Sequence, residues 1–216
     1  MGVHGAEKGG SPLQTVGVVG LGDMGGGLAR NLIKAGLTVR GYDLSEKRMA
    51  AFAEAGGVHC ASTAEVGEGA GAVFVMVMNG DQAKDVILGE AGLTTTMPAG
   101  GVVVLTATIK PREAREICAA LAGGPLMMID SPVSGGRPGA DGGTLTLMAS
   151  GTDAAFDRAM PALEAISGTI HRVGDEIGMG QTVKACLQSL IGSIFTGAFE
   201  ATVLAAKAGV PGQVLY

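Results

Sequence analysis

The sequence predicts an α/β protein, in which an open, doubly wound, largely parallel sheet is followed by a long helix and the start of an all-helical domain. Short apolar runs alternate with amphipathic segments of helical length, which is typical of parallel strands joined by right-handed crossovers. One of these runs leads directly into a glycine-rich turn that opens a helix. Beyond residue 178 the alternation stops, and apolar residues recur at intervals of three or four.

The elements of the predicted sheet follow from this alternation. Seven short apolar runs bounded by turn residues are predicted strands: 15–20, 38–42, 72–78, 101–105, 126–129, 144–149 and 169–173. Five segments between them have helical length and spacing: 25–35, 46–55, 81–88, 111–122 and 154–166. Predicted strands and helices thus alternate through most of the chain.

The long helix is predicted over 181–208, where its apolar stripe is Val183, Leu187, Leu190, Ile194, Ala198, Ala201, Leu204 and Ala208. Gly209 and Pro211 end it in the usual way, and residues 211–216 look like the first turn of another helix. We therefore expect a flexible leader over 1–14, a nucleotide-binding domain over 15–177, and an interdomain helix with the beginning of an all-α domain over 178–216, so that the sequence stops inside a domain.

Composition limits the classes of partner. The chain has 216 residues, of which 47% are hydrophobic and 16% charged, and a net charge of −5 without a cluster of Lys or Arg. This favours a soluble globular protein that binds small molecules rather than nucleic acid or membranes. The polar residues inside 182–208 argue against a lipid-facing span, and the first 14 residues lack the apolar core of a signal peptide, so we expect a cytoplasmic protein. Cys60, Cys118 and Cys186 have no metal-binding spacing, which predicts reduced structural thiols and no metal site.

A glycine-rich loop follows the first predicted strand and reads Gly20-Leu21-Gly22-Asp23-Met24-Gly25. Gly20 permits the tight turn, Gly22 lets the backbone approach a pyrophosphate, and Gly25 allows close packing of a helix whose N-terminus attracts phosphate. A strand before the loop, a helix after it and an acidic residue downstream predict a dinucleotide site in a Rossmann-type domain rather than a structural turn.

The acidic residue is Asp43, which ends the second predicted strand 23 positions after Gly20. A carboxylate there can bind the ribose hydroxyls and would repel a 2′-phosphate, so NAD is favoured over NADP. The alternative role for Asp43 is to cap the helix that begins near Ser45. Arg40 weakens the preference for NAD, because its guanidinium could reach a 2′-phosphate.

Other candidates lie at strand ends and on the long helix. Asn79 and Thr108 follow two strands where open parallel sheets bind ligands, although each could simply cap a turn. Ser134, with the two glycines after it, could form an anion nest or an ordinary turn. Lys184 is a cation among apolar neighbours, which taken alone would indicate a lysine that reaches solvent from the surface.

Three segments occur in the order found in one family: GLGDMGGGLARNLIKAG at 20–36, DSPVSGG at 130–136 and GMGQTVKACLQ at 178–188. They resemble the β-hydroxyacid dehydrogenases, and the likeness covers nearly everything after the leader. The residues around Lys184 and the later AAKAGVP look most like the threonate and four-carbon sugar-acid branch.

The resemblance implies a Rossmann domain, a connecting helix and an all-helical domain that builds a homodimer or higher oligomer. It implies that Lys184 is the catalytic acid and base, that Ser134, Gly135, Gly136 and Gln188 bind the substrate, and that Asn79 and Thr108 contact the cofactor. Gln188 and Leu187 stand where the family usually has Asn, which favours a differently shaped substrate over hydroxyisobutyrate, although Gln188 could also be an ordinary residue of the helix surface. We expect Asp130 to shape the loop around Ser134.

The function favoured by these observations is hydride transfer between NAD and a small hydroxy acid, such as threonate or a 3-hydroxyisobutyrate-like acid. Two alternatives remain. One is a related imine reductase or 6-phosphogluconate dehydrogenase, against which Lys184 and the lack of a basic cluster near Ser134 argue. The other is a non-catalytic fragment that binds NAD(H).

Overall fold

The computed structural model describes residues 13–215, so that most of the predicted leader lies outside the described residues. The strands are β1 (Thr15–Val19), β2 (Thr38–Tyr42), β3 (Val58–His59), β4 (Ala72–Val75), β5 (Val102–Leu105), β6 (Met127–Asp130), β7 (Val133–Ser134), β8 (Leu145–Gly151) and β9 (Ser167–Gly174). The α-helices are α1 (Asp23–Lys34), α2 (Glu46–Glu54), α3 (Thr63–Gly67), α4 (Gly80–Leu88), α5 (Pro111–Leu121), α6 (Gly136–Gly142), α7 (Asp153–Ile166) and α8 (Met179–Lys207).

The strands form one sheet in the order β3-β2-β1-β4-β5-β6-β8-β7, with β9 paired to β8. The six strands from β3 to β6 in this order are all parallel, which confirms the predicted α/β class. β8 runs antiparallel to β6 and β7, and parallel to β9. From β1 the chain winds first toward β3 and then, from β4 onward, toward β6. The order therefore reverses between β1 and β4, where doubly wound sheets bind their ligands.

The core lies on both faces of the sheet, because the central strands are buried on both sides. Alternate residues of a strand point to opposite faces, so Phe74 belongs to one apolar cluster and Val73 and Val75 to the other. The helices α1 and α7 cover the first face, and α4 and α5 cover the second. Because the six strands from β3 to β6 are parallel, their carboxyl ends lie at the same edge of the sheet.

Four short elements were absent from the prediction: β3, α3, β7 and α6. They have two to seven residues and give too little periodicity to be recognised. α6 also has the composition of a loop, since it contains three glycines and a proline. It is held by α1, where Gly27 leaves room for Ala140: a Cβ at Gly27 would lie 2.8 Å from the Ala140 Cβ.

The long helix α8 has 29 residues, and its bounds agree with the predicted 181–208 within two residues. Gly180 and Gln181 in its first turn are buried, whereas large apolar side chains further along it, such as Ile194 and Phe199, are exposed. By length and composition α8 could cross a membrane, with a mean hydropathy of 1.5 in its most apolar window. One such helix is weak evidence for a span. Beyond it, the predicted new helical turn is a 3₁₀ turn over Gly212–Val214.

Candidate functional site

The glycine loop connects β1 to α1 at the point where the strand order reverses. Gly20 has φ +88°, and a Cβ there would lie 2.2 Å from the Met76 carbonyl oxygen. A Cβ at Gly25 would lie 1.8 Å from the Gly20 carbonyl oxygen. The two outer glycines are therefore needed for the turn itself and for the close packing of α1 on it.

The middle glycine has a different environment. Gly22 precedes α1 and supplies no side-chain cap, and the nearest atom to a Cβ built there is the guanidinium carbon of Arg48, at 3.7 Å. The first backbone N–H groups of a helix lack intrahelical partners and attract anions. An open approach to an uncapped helix N-terminus is the environment that a pyrophosphate requires, so the loop fits a dinucleotide.

Asp43 lies directly after β2, beside this loop, and its side chain is only 9% exposed. One carboxylate oxygen accepts a hydrogen bond from the Leu21 backbone N–H at 2.7 Å, and the other accepts one from the Ser45 N–H at 2.8 Å. Asp43 thus joins the glycine loop to Ser45, the residue before α2, and it does not cap the helix itself, because it bonds no N–H within α2.

The guanidinium beside Asp43 belongs to Arg48, at 3.4 Å, and not to Arg40. Arg40 donates two hydrogen bonds to the Glu65 carbonyl, at 3.0 and 2.7 Å, and forms an ion pair with Glu68. Arg40 is thus held away from Asp43, and the guanidinium that lies at this position is that of Arg48. Arg48 was not among the predicted site residues, although its place in the first turn of the predicted helix over 46–55 was a usable signal.

Asn79 and Thr108 lie after β4 and β5, at the same edge of the sheet as the glycine loop. The Asn79 Oδ1 accepts a hydrogen bond from the Gln82 N–H at 2.9 Å, so Asn79 caps α4. The cap uses only the side-chain oxygen of Asn79, and the amide nitrogen takes no part in it. Thr108 is exposed between buried Ala107 and Ile109. The fold brings both residues to the edge where the cofactor is expected.

The Ser134 segment links β7 to α6 through two glycines with positive φ, +123° at Gly135 and +59° at Gly136. Only glycine adopts such consecutive conformations readily, and successive backbone N–H groups in turns of this kind can form an anion-binding nest. Arg137 follows, with its guanidinium 3.5 Å from Asp141 and 3.9 Å from Asp23 of the glycine loop. The segment therefore lies against the dinucleotide loop.

Lys184, in the second turn of α8, is half-buried and donates a hydrogen bond from Nζ to the Val133 carbonyl oxygen at 2.8 Å. Burial lowers the pKa of its ammonium group from the ordinary lysine value. The Nζ of Lys184 therefore contacts the protein and does not extend into solvent, as the alternative interpretation would require. The bond brings Lys184 beside Ser134, although the two bonded residues are 51 positions apart in the sequence. Gln188, one turn further along α8, is exposed.

Asp130 has a role other than the expected one. It is fully buried at the end of β6, where its Oδ2 accepts hydrogen bonds from the backbone N–H groups of Gly178 at 2.9 Å and Gln181 at 3.1 Å. Burial raises the pKa of this carboxyl group, although the hydrogen bonds oppose the shift. Asp130 therefore anchors the N-terminus of α8 instead of shaping the loop around Ser134.

Two further features lie outside this constellation. A cavity of about 620 Å³ between the end of α5 and the turn before α8 contains none of the predicted site residues. The three cysteines are free, and Cys186 is exposed rather than structural. In residues 13–215 no group of three or more His, Cys, Asp or Glu side chains is placed to hold a metal ion.

Comparisons with known proteins agree with the geometry. Residues 15–174 match the family described as the NAD binding domain of 6-phosphogluconate dehydrogenase. The chain is 44% identical to an L-threonate dehydrogenase of Escherichia coli K12 over 93% of its own length and 67% of that protein's. It is 37% identical to a 3-hydroxyisobutyrate dehydrogenase of Pseudomonas aeruginosa, over 91% and 66% of the two chains.

Solved structures give the same result. A 3-hydroxyisobutyrate dehydrogenase from Salmonella typhimurium superposes with a TM-score of 0.86 and 40% identity, over 94% of this chain and 71% of the other. An imine reductase from Myxococcus stipitatus, solved with NADP⁺, has a TM-score of 0.82 but only 19% identity, and covers 91% and 68% of the two chains. At that identity the second likeness concerns the fold alone.

Proposed function

The chain belongs to the β-hydroxyacid dehydrogenases, a family of oxidoreductases with an NAD-binding domain, and from this we propose that it moves a hydride between NAD and a four-carbon sugar acid. The observation that carries the proposal is the contact of Lys184 with the segment before Ser134. This contact supports the proposal because an ionisable group with a lowered pKa lies beside the segment that contains the two glycines with positive φ, Gly135 and Gly136.

The substrate half of the proposed site has three parts. Ser134, Gly135 and Gly136 bind the carboxylate of the acid through the serine hydroxyl and backbone N–H groups. Lys184 removes the proton from the substrate hydroxyl and returns it in the reverse reaction. Gln188, four residues later on the same helix face, binds a further substrate hydroxyl.

The cofactor half follows the edge of the sheet. Bound NAD supplies the hydride acceptor, and the protein supplies its binding and orientation. We assign its pyrophosphate to the loop Gly20, Leu21, Gly22, Asp23, Met24 and Gly25, its adenosine ribose to Asp43, and its remaining contacts to Asn79 and Thr108. The open approach to Gly22 and the uncapped start of α1 support the first assignment.

The choice of a sugar acid rests on two features of the chain. Its relatives include L-threonate dehydrogenases of several bacteria, among them proteins that are 44%, 38% and 39% identical to it. Gln188 also offers both a donor and an acceptor to a polyhydroxylated substrate. A phosphorylated acid is disfavoured, since the charge of the nearby Arg137 is already balanced by Asp23 and Asp141.

Asp43→Ser is expected to weaken NADH binding by about tenfold and to narrow or reverse the preference over NADPH. The substitution removes the carboxylate that repels a 2′-phosphate and releases Arg48 to pair with one. Titration of the intrinsic NADH and NADPH fluorescence measures both dissociation constants. Arg40→Gln is the control and should leave their ratio unchanged. A wild-type protein that binds NADPH more tightly than NADH would contradict the assignment of NAD.

We further propose that residues 15–177 form the NAD-binding domain, that 178–216 form the interdomain helix and the beginning of a helical domain, and that the protein is a cytoplasmic homodimer or higher oligomer. The support for assembly is the row of exposed apolar side chains on α8, including Leu190, Ile194 and Phe199. Such a surface is usually covered in a soluble protein. Sedimentation velocity should give at least the mass of a dimer, and a monomeric coefficient at micromolar concentration would contradict this proposal.

A further inference from the structure

The side chain of Gln181 is buried in the first turn of α8, with 1% of its surface exposed. Its Oε1 accepts a hydrogen bond from the Ile109 backbone N–H at 3.0 Å. Its Nε2 donates to the Ala107 carbonyl oxygen and to Asp130 Oδ1, each at 2.9 Å. Every polar atom of the amide is therefore engaged, and exchanging the oxygen and nitrogen would place donors against donors and acceptors against acceptors.

These bonds connect three segments that are remote in the sequence. Ala107 and Ile109 flank Thr108, so that Gln181 holds the loop after β5 on both sides of Thr108. Asp130 ends β6, from which the chain continues to Ser134. Gln181 itself lies one turn before Lys184 on α8, so one side chain connects the cofactor loop, the substrate segment and the helix of the proposed base.

Close backbone packing restricts the same turn. A Cβ at Gly180 would lie 2.4 Å from the Met148 carbonyl oxygen and 2.8 Å from that of Asp130. Asp130 Oδ2 also accepts from the first N–H groups of α8, where the helix dipole favours a negative charge. α8 is thus held at a fixed distance and rotation, and the amide of Gln181 transmits that position to the Thr108 loop.

We propose that Gln181 is a positioning residue, which aligns the Thr108 loop and Lys184 so that cofactor and base meet the same substrate. This role rests on the proposed function, but the alignment also affects two quantities that can be measured without enzymatic turnover. These are the affinity for NADH, which depends on the loop, and the titration of Lys184, which depends on its burial against Val133.

Gln181→Met tests the role of the amide, because it keeps the approximate volume and removes all three bonds. We expect NADH to bind about tenfold more weakly. We also expect the pKa of Lys184 to rise toward the ordinary lysine value as the helix turn loosens and admits water. Competitive acetylation over a range of pH, followed by mass spectrometry, measures the titration of Lys184. Gln213→Met, at an exposed position, is the matched control.

Gln181→Glu separates positioning from support of the fold. The introduced carboxyl group keeps an acceptor for the Ile109 N–H, but its second oxygen faces Asp130, so the two carboxyl groups must share one proton to remain in contact. Other charged groups near this turn include Lys184 on α8, Arg115, whose guanidinium lies close to Gly178, and Asp175 and Glu176, which precede the helix. NADH affinity of this variant should fall as pH rises and the shared proton is lost, whereas wild-type affinity should lack this transition.

Unchanged NADH affinity and Lys184 titration in folded Gln181→Met would overturn the proposal. If Gln181→Met does not fold, the pH dependence of Gln181→Glu tests the proposal instead. A network that only supports the fold would make the free energy of unfolding of this variant fall as pH rises. The NADH affinity of the folded variant would then not change with pH, and this result would also overturn the proposal. Neither result depends on turnover. Failure of the proposed function is detected separately, as an absence of Lys184-dependent oxidation in the wild type.

Discussion

Lys184→Ala is expected to lower kcat for hydroxy-acid oxidation by about 10²–10⁴, the range typical for removal of a general base. The Nζ of Lys184 lies 2.8 Å from the Val133 carbonyl oxygen, directly before the proposed carboxylate nest. NADH affinity should change little, because the glycine loop and Asp43 remain intact. Steady-state kinetics and a fluorescence titration on the same preparation measure the two quantities.

The pH dependence gives a second readout of the same residue. Lys184 must be neutral to accept the hydroxyl proton, so oxidation should slow as pH falls through its pKa, which burial holds below 10.5. Lys184→Arg should abolish this limb together with the activity, since a guanidinium stays protonated. Lys34→Ala, on the exposed end of α1, is the control. Wild-type turnover in Lys184→Ala would remove the lysine from the mechanism.

Gly25→Ala is expected to abolish measurable NADH binding and to lower the free energy of unfolding by about 1–3 kcal/mol. A Cβ at Gly25 would lie 1.8 Å from the carbonyl oxygen and 2.9 Å from the carbonyl carbon of Gly20. Both are backbone atoms of the loop, which therefore has to move away from α1. Displacement of the loop also shifts the Leu21 N–H away from Asp43.

The effect of Gly25→Ala is measured by chemical denaturation and by NADH fluorescence. Gly142→Ala is a suitable comparison, because a Cβ at this exposed end of α6 meets Thr144 atoms only at ordinary distances of 3.5 and 3.9 Å. It should match the wild type in both assays. Normal NADH affinity in Gly25→Ala would contradict the assignment of the pyrophosphate to this loop, because the added Cβ has to displace the loop.

The apolar runs in the sequence predicted the parallel part of the fold well, because strands that are buried on both faces are continuously apolar. It missed β7 and α6, which are short and glycine-rich and owe their structure to packing on β8 and α1. The predicted strand over 72–78 also ends earlier, at Val75, where the chain turns toward the loop after β4.

Within the candidate site, the glycine loop, Asp43 and Lys184 carried recognisable signals of their own. Arg40 and Asp43 are three positions apart along an extended segment, so their side chains point to opposite faces of the sheet, which explains why Arg40 does not lie beside Asp43. Asp130 and Gln181 could not be paired in advance, because their contact joins positions 51 residues apart and depends on where α8 meets the sheet.

NADH formation from NAD, followed by its absorbance across L-threonate, D-erythronate, glycerate and 3-hydroxyisobutyrate with Lys184→Ala in parallel, tests the central claim most directly. We expect Lys184-dependent turnover, fastest with a four-carbon sugar acid. NADH binding of normal affinity without oxidation of any of these acids would contradict the claim, and would leave the chain a dinucleotide-binding protein without dehydrogenase activity of its own.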